Sequence, residues 1–159
     1  MNFIDNIFKS GDIWGAPDGA LSLVLAEVAN VQAPIIFVAR DDARLASVEV
    51  GLKCINPKLD MWVLPAWDCL PFDRLSPHRG LVGRRIETLA RLCVGEAPSI
   101  LLTTINAMVQ KLPPADYFSN SSLVITPASA HSPASITEFL SNHAYLRTGT
   151  VRETGEFAI

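Results

Sequence analysis

The sequence predicts an α/β protein built on a parallel sheet with helices on both faces. Three observations predict it: strand-length apolar runs at 34–39, 60–64 and 99–103, helical-period segments between and around them, and regular alternation of the two. Strands that read as unbroken apolar runs belong to parallel sheets covered on both sides. Strand–helix alternation marks βαβ units, whose crossovers are right-handed. A chain of 159 residues suffices for one domain, or for one and the start of a second. With 49% hydrophobic and 18% charged residues, a packed core is expected and intrinsic disorder is not.

Taken in order, Phe3, Ile4, Ile7 and Phe8 have the spacing of a short opening helix. A helix follows over about 17–31, with Pro17 in its first turn and Leu21, Val24, Leu25 and Val28 as its apolar stripe. The first strand, 34–39, is expected to be buried on both faces. Asp41 or Asp42 caps a helix to about Cys54, which Asn56-Pro57 ends. After the strand at 60–64 comes a proline-punctuated stretch, and then a helix over about 80–94. That helix should bury Val82, Ile86, Leu89, Ala90 and Cys93 and expose its arginines. The strand at 99–103 leads to a short helix at 106–111, stopped by Pro113-Pro114. Composition shifts there, so an α/β lobe is expected over 1–116 and the beginning of a small α+β domain over 117–159. In the latter a strand at 123–126, a helix from Ser132 to about Asn142 and strands at 145–152 and 156–159 are expected, with Glu153-Thr154-Gly155 as the final turn. The last strand runs to the final residue, so a truncated piece of a longer protein is expected.

Several function classes are disfavoured. A net charge of −3 argues against a dedicated nucleic-acid module. Cys54, Cys69 and Cys93 are odd in number and widely spaced, giving neither a disulfide framework nor a metal site. No secretory signal or membrane-length apolar run occurs, so a cytoplasmic protein without a membrane partner is expected.

The loop Gly15-Ala16-Pro17-Asp18-Gly19-Ala20-Leu21-Ser22 has the length and position of a phosphate-binding loop. Such a loop needs glycines for close backbone approach, a lysine for the phosphate charge and a hydroxyl for Mg²⁺. Gly15 and Ser22 match, Gly19 adds a glycine, but Ala20 replaces the second required glycine and Leu21 the lysine. No Lys or Arg lies between Lys9 and Arg40. Without a cation to face the phosphates, no nucleotide hydrolysis is expected. On the residues alone the loop is either an ordinary Gly/Pro turn or an inactive relic. Asp41-Asp42 after an apolar strand has a Walker-B look, and helix capping accounts for it better.

The most distinctive stretch is Leu64-Pro65-Ala66-Trp67-Asp68-Cys69-Leu70-Pro71-Phe72-Asp73-Arg74-Leu75-Ser76-Pro77-His78, a proline-stiffened strap whose aromatics must cover apolar surface. It resembles the Trp-acid-x-Leu-Pro-aromatic-Asp segment, ending in Ser-Pro-His, of the bacterial transcription-repair coupling factors, the Mfd family. The resemblance continues through Arg85, Ile86, Leu89 and Leu92, then Thr103-Thr104-Ile105-Asn106-Ala107-Met108-Val109-Gln110-Lys111-Leu112-Pro113, and ends in Gly155-Glu156-Phe157-Ala158. It implies a UvrB-like lobe that has lost the ATPase motifs and the DNA-probing hairpin, so that the loop at 15–22 is a relic. It also implies a small domain through which UvrA is recruited. The parent would be an ATP-dependent DNA translocase, with ATP, Mg²⁺, RNA polymerase and DNA engaged by absent domains and no cofactor held here. The family carries an arginine of the UvrA surface just beyond the position of Ile159, so UvrA binding by this chain is expected to be weak or absent.

Other candidates stay open on their residues. Asp68 and Asp73 are an acid/base pair or, better, turn caps. His78, His131 and His143 are too scattered for a ligand set, and no catalytic residue is assigned. Arg79, Arg84, Arg85 and Arg91 form a solvated helix face, a surface for other domains of the parent, or a nucleic-acid contact; Gly155, Glu156 and Phe157 are a further candidate partner surface. A nucleotide- or DNA-binding α/β domain with unconventional chemistry is the alternative, for which the fold and the arginines speak.

Overall fold

A computed structural model describes residues 13–69, 74, 76–123, 125–126 and 129–159. The expected opening helix and the strap residues Leu70, Pro71, Phe72, Asp73 and Leu75 lie outside them. Helix α1 spans Asp18–Val31, strand β1 Ile35–Ala39, helix α2 Asp42–Ile55 and strand β2 Met61–Leu64. Helix α3 spans Arg79–Cys93 and strand β3 Ile100–Thr104, followed by the short helices α4 (Ile105–Met108) and α5 (Ala115–Asn120). Helix α6, Pro133–Asn142, and the two-residue strands β4 (Leu146–Arg147) and β5 (Glu156–Phe157) complete the order. The α/β class read from the apolar runs is the observed one. β1, β3 and β2 form a three-stranded, all-parallel sheet in that order.

Packing groups the chain into two compact units. One runs through Ala66 and resumes over Glu96–Lys111; the other comprises Trp67–Gly95 and Leu112–Ile159. Packing therefore joins α3 to the C-terminal segment, across the expected division near residue 116.

The first unit is the sheet with α1 and α2. Register sets its core: Ile35 and Met61 flank Ile100, and Phe37 and Val63 flank Leu102, all on the face that meets Leu45, Val48 and Leu52 of α2. The opposite face carries the rows Ile36–Leu101–Trp62 and Val38–Thr103–Leu64. There the β2 and β3 members are buried, but Ile36 is 61% and Val38 41% exposed. The first strand is thus covered on one face, contrary to the expected burial on both. Edge position alone does not account for this, since β2 is also an edge strand and its Trp62 and Leu64 are buried on the same face; the central strand β3 alone is buried at every position. Thr103 closes this face by donating its hydroxyl to the Leu64 carbonyl at 2.9 Å.

α2 begins where Asp41 accepts the Arg44 amide at 2.8 Å, while Arg40 Nε donates to its other oxygen at 2.8 Å. The capping reading of this acid holds. First the Arg44 amide and then the Arg40 guanidinium keep the Asp41 carboxyl below its ordinary range. A carboxylate depressed by folding contributes stability that is complete above the unfolded value, near about pH 4, and fades as the pH falls through the lower folded value. Asp41→Asn retains a capping oxygen that does not titrate. The expected outcome is a shallower acid limb in helix content below about pH 4, followed by circular dichroism.

In the second unit α3 packs on α5. The helix α5 was not expected; Pro114 occupies its N-cap and Phe118 is its buried anchor. The expected strand at 123–126 is not formed at the described residues, where Ser129 instead bonds both the amide and the carbonyl of Thr126. α6 is capped by Ser132, which accepts the Ser135 amide at 3.1 Å. It ends with Ala144 at φ 61 and the Tyr145 amide donating to the Leu140 carbonyl, a Schellman close built on alanine where glycine is usual. β4 and β5 pair in parallel, Leu146 opposite Glu156 and Arg147 opposite Phe157. A hairpin with its turn at 153–155 would pair them antiparallel; the connection loops back before β5 begins.

Candidate functional site

The phosphate-loop position lies at the start of α1. Gly15 takes φ 69, a left-handed conformation that suits glycine. Pro17 is the N-cap and supplies no side-chain bond. The buried face of α1 is Ser22, Ala26 and Ala29, a stripe of small residues, rather than the expected Leu21, Val24, Leu25 and Val28, which are half-buried. α1 packs on α2 along its length. Ser22, 3% exposed, faces Gly51 of α2, where an added Cβ would lie 2.9 Å from the Ser22 Cβ and closer still to its hydroxyl. The hydroxyl that a nucleotide site would present to Mg²⁺ is enclosed between helices, and Leu21 occupies the lysine position. Gly19 is exposed with open space above it. These residues do not fit a triphosphate.

The second unit brings together segments that are far apart in sequence. His78 is the N-cap of α3, its Nδ1 accepting the Gly80 amide at 3.2 Å. The His78 amide in turn donates to the Asp68 carboxylate at 3.2 Å. Asp68 is therefore a turn cap, and His78 has a structural role that its isolation in sequence concealed; Asp73 lies outside the described residues. Beside His78, Arg79 Nη1 meets Glu153 Oε2 at 2.9 Å, joining the start of α3 to the turn before β5. That turn is held by Glu156, whose Oε2 accepts the Arg152 and Glu153 amides at 2.8 and 3.2 Å, and by Gly155 at φ 92. A cleft of about 600 Å³ results, lined by Ser76, His78, Arg79, Arg152, Glu153 and Thr154 among others.

The expected partner residues divide. Arg84 is exposed and Arg91 half-buried. Arg85 is 1% exposed and lies over the Trp67 ring with its guanidinium carbon 4.5 Å from the centroid. It is no part of a solvated face, and burial pushes its pKa down. Its place inside turns Ile86, expected in the core, outward to 49% exposure. Phe157 is buried, and the half-buried Glu156 holds the turn through one carboxylate oxygen. Sequence reading missed Arg152, Glu153 and Thr154 as site residues, because nothing local ties them to Arg79, 74 positions from Glu153. Among the described residues no three His, Cys, Asp or Glu side chains converge as metal ligands, and no helix is long and apolar enough to cross a membrane.

Fold and site thus define a parallel α/β protein in which Ser22 of the loop at 15–22 is packed between helices and the second unit carries a charged cleft. By sequence the chain is similar to the transcription-repair-coupling factors. It is 28% identical over 103 residues to that of Rickettsia bellii (65% of this chain, 9% of that protein). It is 29% identical over 132 residues to that of Rickettsia conorii (82% and 12%) and 26% over 149 residues to that of Escherichia coli K12 (93% and 12%). The chain spans about a tenth of the length of the curated relatives it matches. No protein-family model matches it.

Proposed function

We propose that this chain is a non-catalytic, UvrB-like docking module of a transcription-repair-coupling factor, acting in the cytoplasm to bring UvrA to stalled transcription. The segment from residue 117 begins the UvrA-docking part. Translocation, ATP and Mg²⁺ use, and contacts with RNA polymerase and DNA belong to other domains of the parent. The observation that carries the non-catalytic reading is Ser22: its hydroxyl is packed against Gly51, with Leu21 where a phosphate lysine would stand. The similarity to coupling factors over most of the chain supports the rest.

The test is amide NMR of the labelled chain titrated with UvrA and, separately, with ATP and Mg²⁺. Weak, saturable changes with UvrA confined to residues of the second unit are expected, and none at 15–22 with ATP. Micromolar ATP affinity would overturn the non-catalytic assignment, and an unresponsive spectrum with UvrA would overturn the docking one.

A further inference from the structure

We propose that the cleft lined by residues 76–80 and 152–154 takes an acidic peptide segment of a protein partner, anchored by Arg79 and Arg152, with Glu153 as a built-in competitor. The proposal rests on the docking reading and names the chemistry of its partner. At about 600 Å³ the cleft is large enough for several side chains. Its charged groups are two arginines against one acid, in a chain whose net charge is −3. The carboxylate on Arg79 is itself a sample of the ligand: Glu153 sits 2.9 Å from the guanidinium, both side chains about two-thirds exposed. An exposed pair of this kind is weak and exchangeable.

Arg152 has no acidic partner among the described residues. Of the two acids that follow it in sequence, Glu153 pairs with Arg79, and Glu156 is held by the backbone amides of Arg152 and Glu153. The walls are preorganised by that carboxylate and by the His78 cap, which lowers the ordering cost of binding. A nucleic-acid backbone fits less well. It would bring a continuous run of phosphates against Glu153 and an acidic chain, whereas a short acidic peptide needs only the two local cations.

The experiment is fluorescence anisotropy of a labelled oligoglutamate peptide with the full chain, at low and high salt, beside a labelled oligothymidylate. Glu153→Gln is expected to tighten the peptide by about two- to five-fold, and Arg79→Gln and Arg152→Gln to weaken it by a similar factor. High salt should compress all three differences, with circular dichroism unchanged because these side chains are exposed. The proposal is overturned if the wild-type chain does not bind the peptide at low salt, or if Glu153→Gln fails to tighten it. Tighter binding of oligothymidylate, sensitive to the same substitutions, overturns it in favour of nucleic acid. Loss of UvrA response with the peptide effects intact would sink the docking reading and leave the cleft assignment standing; the reverse pattern would sink the cleft alone.

Discussion

Arg85→Ala is expected to destabilise the protein by about 3 kcal/mol, read as a lower urea midpoint for helix loss. The guanidinium is enclosed and stacked on Trp67, so truncation removes a desolvated cation–π contact, worth about 2 kcal/mol at such sites, and opens a cavity. Desolvation works in the opposite direction: burial disfavours the charge, as its lowered pKa records. Shape and charge can be separated with Arg85→Met, which keeps most of the volume and buries no cation. It should fall within about 1 kcal/mol of wild type, because well-packed apolar replacements of buried ions are often neutral. Equal damage from both substitutions would instead show that the charge of the guanidinium over Trp67, rather than its volume, is what holds this part of the unit together.

Gly51→Val should cost about 3 kcal/mol by the same measurement, the upper end for overpacking. Replacing a mid-helix glycine normally gains stability, about 1 kcal/mol for alanine. Here the gain is outweighed: the Ser22 hydroxyl can rotate away from a new Cβ, but the Ser22 Cβ at 2.9 Å cannot. Val adds two further methyl groups in the same gap. Ser22→Gly in the Gly51→Val background should recover part of the loss, since it removes the side chain that collides. Without recovery, the helix contact at this point would not be what the substitution disturbs.

Much of the first unit was legible because its signals are local. Continuous apolar runs marked β1, β2 and β3, and Asp41 with Asn56-Pro57 marked the ends of α2. The expected burial of β1 failed for a non-local reason: Ile36 and Val38 depend on what lies beside an edge strand, which apolarity cannot report. The α3 face was misread because periodicity assigns arginine to water, while a guanidinium's flat, weakly hydrated faces let it stack inside. The parallel pairing of β4 with β5 was equally hidden, since two-residue strands carry no pattern to fix direction.

By itself the sequence determined the parallel α/β class and the absence of a lysine from the loop at 15–22, both readable from neighbouring residues. Only the tertiary structure decided that Ser22 is walled in by Gly51 and that His78, Arg79 and the turn before β5 form one cleft. Those facts depend on the approach of segments that share no local signal, and close packing and long-range ion pairing are established only when the chain has folded.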